Sequence, residues 1–274
     1  MNVFETAIQV TSSVLGNRFP GYSFAFASGS IIRGEGTKGS DIDLVVVFDR
    51  LETAWREAFV EGDLPFEVFV QDPETLSWFF ESDIARGCPV IIHMVATGQI
   101  LGPNPDKGHV WKDYAASVLR AGPPEPVGEK LNALKYQITD LLDDLQGERS
   151  GSEACAIAAQ LYQPLADLML LGRGRWSGRG KWIPRLIRET DQEMADRFDD
   201  AFRQVSLGNV EELCNLTHAE LDRHGGPFFA GDKRMASQQA RRTSLIELDQ
   251  PRPTAAIDKL ELRHNASPCL PRLK

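Results

Sequence analysis

Apolar and polar positions along this chain of 274 residues follow two rhythms, a strand-like one early and a helical one later. Val3, Phe4, Ala7, Ile8, Val10, Val14 and Leu15 recur at helical spacing and predict an amphipathic helix over residues 2–16. Pro20-Gly21 breaks it, and residues 22–28 alternate as a strand does. The Val-rich run 42–48 predicts a second strand. Ala54, Trp55, Ala58 and Phe59 are spaced for a helix that Leu64-Pro65 stops. Phe66-Glu67-Val68-Phe69-Val70 reads as a third strand. Pro73, at a first helical turn, opens a helix carrying Trp78 and Phe79 that ends near Gly87. Residues 90–95 read as another strand, with His93 a core residue by default.

Beyond Gly98, Gly102, Pro103 and Pro105 the pattern turns helical. After Gly122-Pro123-Pro124-Glu125-Pro126, an apolar stripe runs through Leu131, Leu134, Ile138, Leu141, Leu142 and Leu145. Tyr136, Asp140 and Asp143 share the opposite face, a solvent face unless it borders a cleft. Residues 153–171 are apolar nearly all round and predict a central buried helix, with Glu153, Gln160, Gln163 and Asp167 on one polar stripe. The stretch 172–188 gathers Arg173, Arg175, Arg179, Lys181, Arg185 and Arg188 with Trp176 and Trp182. Pairing of these cations with acids of the next helix is the favoured expectation; the alternative turns them toward a cleft. Thr190 with Glu193 has capping-box spacing for that helix, and a shorter one follows over 210–221. The expected division is an α/β domain over 1–105, an all-α helical bundle over 106–231 and a mobile tail over 232–274, within which residues 243–248 form at most one short strand or turn.

Composition narrows the partners. The chain is 42% hydrophobic, enough for a sizeable core, and its net charge is −9. Residues 233–274 hold nine Lys or Arg against four acids, so that segment carries +5 and residues 1–232 carry −14. Nucleic-acid binding draws on clustered cations that release counterions, so this balance speaks against a polynucleotide substrate and suits a small one, cationic acceptors included. Cys88, Cys155, Cys214 and Cys269 are scattered without metal-ligand spacing. No charged leader followed by an apolar stretch opens the chain, and no apolar run reaches a membrane span's length, so a soluble cytoplasmic protein with no membrane partner is expected. Apolar helical faces leave room for a homodimer.

The chemistry concentrates in residues 24–48. Gly29-Ser30 ends the first strand, a glycine-rich loop with Arg33, Thr37, Lys38 and Ser40 follows, and Asp41 and Asp43 straddle Ile42. Residues two apart on a strand point the same way, so both carboxylates share one face. Like charges that close resist ionising together. A divalent cation keeps both ionised, and hard oxygen ligands suit Mg2+. Backbone N–H groups in the Gly29-Ser30 turn favour an anion. Phosphate donors beside a metal site imply a nucleoside triphosphate bound as its magnesium complex, with Thr37, Lys38 and Ser40 as assisting groups or mere turn residues.

Gly-Ser, a spacer and Asp-x-Asp, in this order and spacing, resemble the signature of the nucleotidyltransferase superfamily that includes DNA polymerase beta. The Arg33-Gly34-Glu35 and Ser40-Asp41-Ile42-Asp43-Leu44 wording resembles its small-molecule, antibiotic-modifying branch. The resemblance implies a mixed sheet, one or two Mg2+ ions, and ATP or another triphosphate as co-substrate. It implies transfer of a nucleoside monophosphate to a hydroxyl of a small acceptor, with pyrophosphate released. Glu67 matches the family's third carboxylate, as metal ligand or as general base. The family branch also draws a base from its helical domain, for which Glu153 is the candidate, while Asp140 and Asp143 are substrate-side candidates for holding a polar or cationic acceptor. The rival expectations are a non-catalytic, antitoxin-like nucleotide-binding regulator and an enzyme that nucleotidylates protein or RNA.

Overall fold

The computed structural model of the chain describes residues 3–37 and 39–238. Lys38, Cys269 and the tail from 239 onward, including 243–248, lie outside the described residues.

The first half is a five-stranded mixed sheet. Its strands are β1 (Phe24–Ser28), β2 (Ile42–Val47), β3 (Trp55–Glu61), β4 (Leu64–Gln71) and β5 (Gln99–Leu101), in the order β3-β4-β2-β1-β5. Only β2 and β4 run parallel; the other pairs are antiparallel. Alternation along the strands divides the core in two. Ala25, Ala27, Leu44, Val46, Val68 and Val70 pack on α1 (Val3–Arg18) through Ala7, Val14 and Leu15, with Phe19 just beyond the helix. Phe24, Phe26, Val45, Val47 and Phe69 pack on the other side, against α2 (Pro73–Arg86), α3 (Val90–Thr97) and α4 (Pro105–Ala121).

Two elements differ in type from the sequence reading. Residues 55–61 form an edge strand rather than a helix, so the Glu67 strand is the fourth. Gly62 and Asp63 both have positive φ, 55° and 64°, which closes a tight hairpin into β4. The helical spacing of Ala54, Trp55, Ala58 and Phe59 was outweighed by pairing with β4. Residues 90–97 form a helix rather than a strand. An unbroken apolar run fits either element. Here the fully buried Asp83 of α2 accepts hydrogen bonds from the Ile91 and Ile92 amides at 2.7 and 3.2 Å, satisfying the helix's free N–H groups.

The second half is helical: α5 (Gly128–Gln146), α6 (Gly151–Leu171), α7 (Trp182–Thr190), α8 (Gln192–Ser206) and α9 (Glu211–Arg223) share one core. Leucines of α6 such as Leu161, Leu165 and Leu168 are fully buried at its centre. By length and composition α6 would pass for a membrane span, contrary to the sequence reading, yet it is this bundle's core helix. Packing changes character at residues 122–127 rather than at 105, because Trp111, Ala115, Val118 and Leu119 of α4 belong to the sheet's core. Asp191, not Thr190, caps α8: its carboxylate accepts from the Met194 amide at 3.0 Å, while the Thr190 hydroxyl donates to the Leu186 carbonyl at the end of α7.

Candidate functional site

Strand register assembles the acids. Ser28 at the end of β1 pairs with Asp43 on β2, and Asp43 pairs in turn with Glu67 on β4. Asp41, Asp43 and Glu67 therefore stand side by side, each offering an oxygen within 4.8 Å of the others. They share the sheet face of Val45 and Phe69 but lie at its end, where the helical cover stops.

Gly29 permits the close approach. Its φ is +102°, and a Cβ there would lie 2.8 Å from the Asp41 carbonyl oxygen and 3.2 Å from Asp43 Oδ2. Any larger residue would be strained and would push on the acids themselves. Beyond it the chain makes a helical turn, with the Arg33 amide donating to the Gly29 carbonyl and the Glu35 amide to that of Ser30. Ser30 Oγ donates to Ser40 Oγ at 2.9 Å, and Ser40 Oγ also accepts from the Thr37 amide at 2.8 Å. This hydroxyl knot ties the loop's two ends together beside the acids.

Burial and neighbouring carboxylates dominate the electrostatics. Burial first, then Asp41 and Glu67, push the Asp43 carboxyl up to about 7, against a smaller opposing pull from Arg33 and Lys181. A crowded triad of hard oxygen donors that resists full ionisation fits a hard divalent cation, whose charge would relieve the repulsion. The Arg56 guanidinium on β3 forms an ion pair with Glu67, whose side chain is only 12% exposed. That pairing orients the Glu67 carboxylate from the neighbouring strand.

The acids floor a cavity of about 520 Å³ whose opposite wall comes from the helical half. Lys181, Trp182, Arg185, Leu186 and Glu189 face it from α7 and the residue before it, while Ile183 and Ile187 turn into the bundle core. Asp167 of α6 secures the preceding loop: its carboxylate accepts from Ser177 Oγ and pairs with Arg179 at 3.3 Å. The Ser177 amide donates to the Gly87 carbonyl, joining that loop to the end of α2. A more apolar side of the cavity is formed by Cys88, Pro89, Val90, Met94, Leu119 and Trp176. His93, also lining it, is held below the usual imidazole range by burial and by Arg33.

The basic stretch divides by direction. Arg173 pairs with Glu220, Arg179 with Asp167 and Arg188 with Asp199. Lys181 and Arg185, which face the cavity, have no acidic partner among the described residues. Pairing with acids of the next helix, the favoured expectation, describes only Arg188 among the described residues; Arg173 pairs instead with α9 and Arg179 with α6.

Gly29, Ser30, Thr37, Ser40, Asp41, Asp43 and Glu67 all line this one cavity. The three helical-half acids do not join them. Glu153 is taken up by a capping box with Ser150 at the start of α6. Asp143 is exposed on α5, and Asp140 lines a separate cavity of about 410 Å³ with Tyr136 and Arg86. The acid that α7 brings is Glu189. Its signal was present in the spacing of Lys181, Trp182, Arg185, Leu186 and Glu189, one face of a helix, and only the fold showed what that face meets.

The family model described as a nucleotidyltransferase domain matches residues 14–94. A solved nucleotidyltransferase-like protein from Exiguobacterium sibiricum is similar at 15% identity, covering 79% of this chain and 76% of that one, with a TM-score of 0.43. No curated protein matches the chain. The matched stretch holds Gly29, Ser30, Asp41, Asp43 and Glu67, so residues 14–94 of this chain match a nucleotidyltransferase domain that contains the whole acidic triad.

Proposed function

We propose that the protein transfers a nucleoside monophosphate from ATP or another nucleoside triphosphate, in a Mg2+-dependent reaction, to a hydroxyl of a small molecule. One observation carries this reading: a triad of converging carboxylates and a glycine-serine turn share a cavity with Lys181 and Arg185, two cations without acidic partners among the described residues. Asp41, Asp43 and Glu67 would hold the metal, one ion or two. When bound, it neutralises phosphate oxygens and stabilises the charge that develops in an in-line displacement.

The chain's own groups do the rest. The turn at Gly29 and Ser30 holds the outer phosphates, with Thr37 and Ser40 setting its shape. Lys181, Arg185 and Arg33 offset charge on the triphosphate and the departing pyrophosphate. The acceptor oxygen forms a bond to the α-phosphorus, the bond from that phosphorus to the bridging oxygen breaks, and pyrophosphate leaves with the electron pair. The hydroxyl proton passes to a carboxylate. Its pairing with Arg56 suits Glu67 to ligation, which leaves Glu189 as the acid for that proton.

The experiment is a pyrophosphate-release screen of hydroxyl compounds against the four triphosphates with Mg2+. Asp41→Asn and Asp43→Asn should each abolish release, and Glu189→Gln should lower the maximal rate by about 10²–10⁴-fold. Undiminished turnover in both Asn variants would overturn the proposal.

A further inference from the structure

Trp182 occupies a singular place in the cavity. It opens α7 and lines the cleft with its ring partly exposed. Three groups gather on that ring: Arg33 from the glycine-rich loop, 5.7 Å from its centre; Arg185 from its own helix, at 5.3 Å; and the His93 ring of α3, at 5.7 Å and tilted 58°. Gly178 fixes its position from behind, since a Cβ there would lie 2.9 Å from Trp182 Cβ and 2.8 Å from Leu186 Cδ1. The residue before it, Lys181, is close enough to the metal triad for its charge to act on Asp43. An aromatic surface is therefore held within one residue of the groups that handle phosphate.

We propose that Trp182 is the stacking platform for the base of the nucleoside triphosphate, an inference that rests on the nucleotidyl-transfer reading. Arg33 and Arg185 lie near the ring at cation–π distances. A triphosphate, which demands cations more strongly than a ring quadrupole does, draws them toward its oxygens and leaves the indole to the base. The adjoining wall of Pro89, Val90, Met94 and Leu119 accepts a flat, weakly polar group. Few polar side chains there read a base edge, so recognition by stacking tolerates every base and favours the larger purines.

The test uses the full chain with Mg2+ and five probes: the α,β-methylene analogues of ATP, GTP, CTP and UTP, and inorganic tripolyphosphate, which has no base. Binding is measured calorimetrically for wild type, Trp182→Ala and Trp182→Phe, with thermal melts to confirm folding. Loss of a base–aromatic stack weakens binding by about 5- to 150-fold. Trp182→Ala should weaken the four nucleotide analogues by that range, the purine ones most, with tripolyphosphate affinity unchanged and Trp182→Phe near wild type. Wild-type affinity of Trp182→Ala for the ATP analogue would overturn the platform, as would equal loss of tripolyphosphate, which would make the ring only a prop for its cations. A wild-type protein that binds tripolyphosphate no more weakly than the nucleotides would remove the platform and leave the phosphate site standing. One that binds none of the five would overturn the nucleotidyl-transfer reading along with it.

Discussion

Asp43 stands directly beside Glu67 on the one parallel strand pair of the sheet, and Arg56 holds Glu67 from the strand beyond. The triad is thus a product of register: a slip of one residue between β2 and β4 would send one of the two acids to the opposite face.

That crowding has a pH signature. The Asp43 carboxyl lies at about 7 against an ordinary 3.8, so its protonated form is the one favoured by folding. Its contribution to stability is full below about pH 4 and is lost as pH rises through 7. A divalent cation would bind the triad in its deprotonated form, so the Mg2+-induced rise in Tm should be larger at pH 8 than at pH 6. Thermal melts with and without Mg2+ at both pH values check this. Asp43→Asn should abolish the Mg2+ effect while melting at or above wild type in chelator at pH 8.

Gly29→Ala should damage both fold and site. The substitution demands a positive φ from an L side chain and sets a methyl group against the Asp41 carbonyl. We expect a loss of about 1–3 kcal/mol of stability, measured by denaturant unfolding, together with loss of pyrophosphate release. Gly34→Ala is the comparison, since its φ of +78° is also unfavourable but nothing lies within 4 Å. It should cost stability with a smaller loss of activity.

Cations on the cavity wall should separate from those turned away. Lys181→Ala and Arg185→Ala are expected to raise the KM for triphosphate about tenfold or more, the equivalent of ~1.4 kcal/mol each, without a change in Tm. Arg188→Ala removes an exposed pair with Asp199 and should change stability by under about 1 kcal/mol and KM not at all. Steady-state kinetics with varied triphosphate distinguishes the two groups.

Asp83 supports the site from beneath. It is fully buried and joins the Ile91 and Ile92 amides to Arg86. Asp83→Ala leaves those amides and a guanidinium without their partner, and we expect a loss of about 3–5 kcal/mol. Because α3 supplies Val90, His93 and Met94 to the cavity, triphosphate binding should weaken in step. Chemical denaturation and calorimetry on the same samples would reveal it.

Much of this protein was legible from local pattern. The two-residue repeat of β1, β2 and β4, the 3.6-residue stripes of α5 and α6, and the Gly29-Ser30, Asp41, Asp43 spacing are properties of neighbouring residues. They can be read without knowing what lies across the fold. The matched family domain and the shared cavity lie where that spacing pointed. Tertiary structure decided what depends on distant partners. Residues 55–61 became a strand because β4 offered an edge, and residues 90–97 became a helix because a buried carboxylate of α2 met their amides. Which cations face the cavity, and that Glu189 rather than Glu153 reaches it, followed from how α7 docks over the sheet's end. A helix's own sequence marks its faces; only its packing partners determine what each face meets.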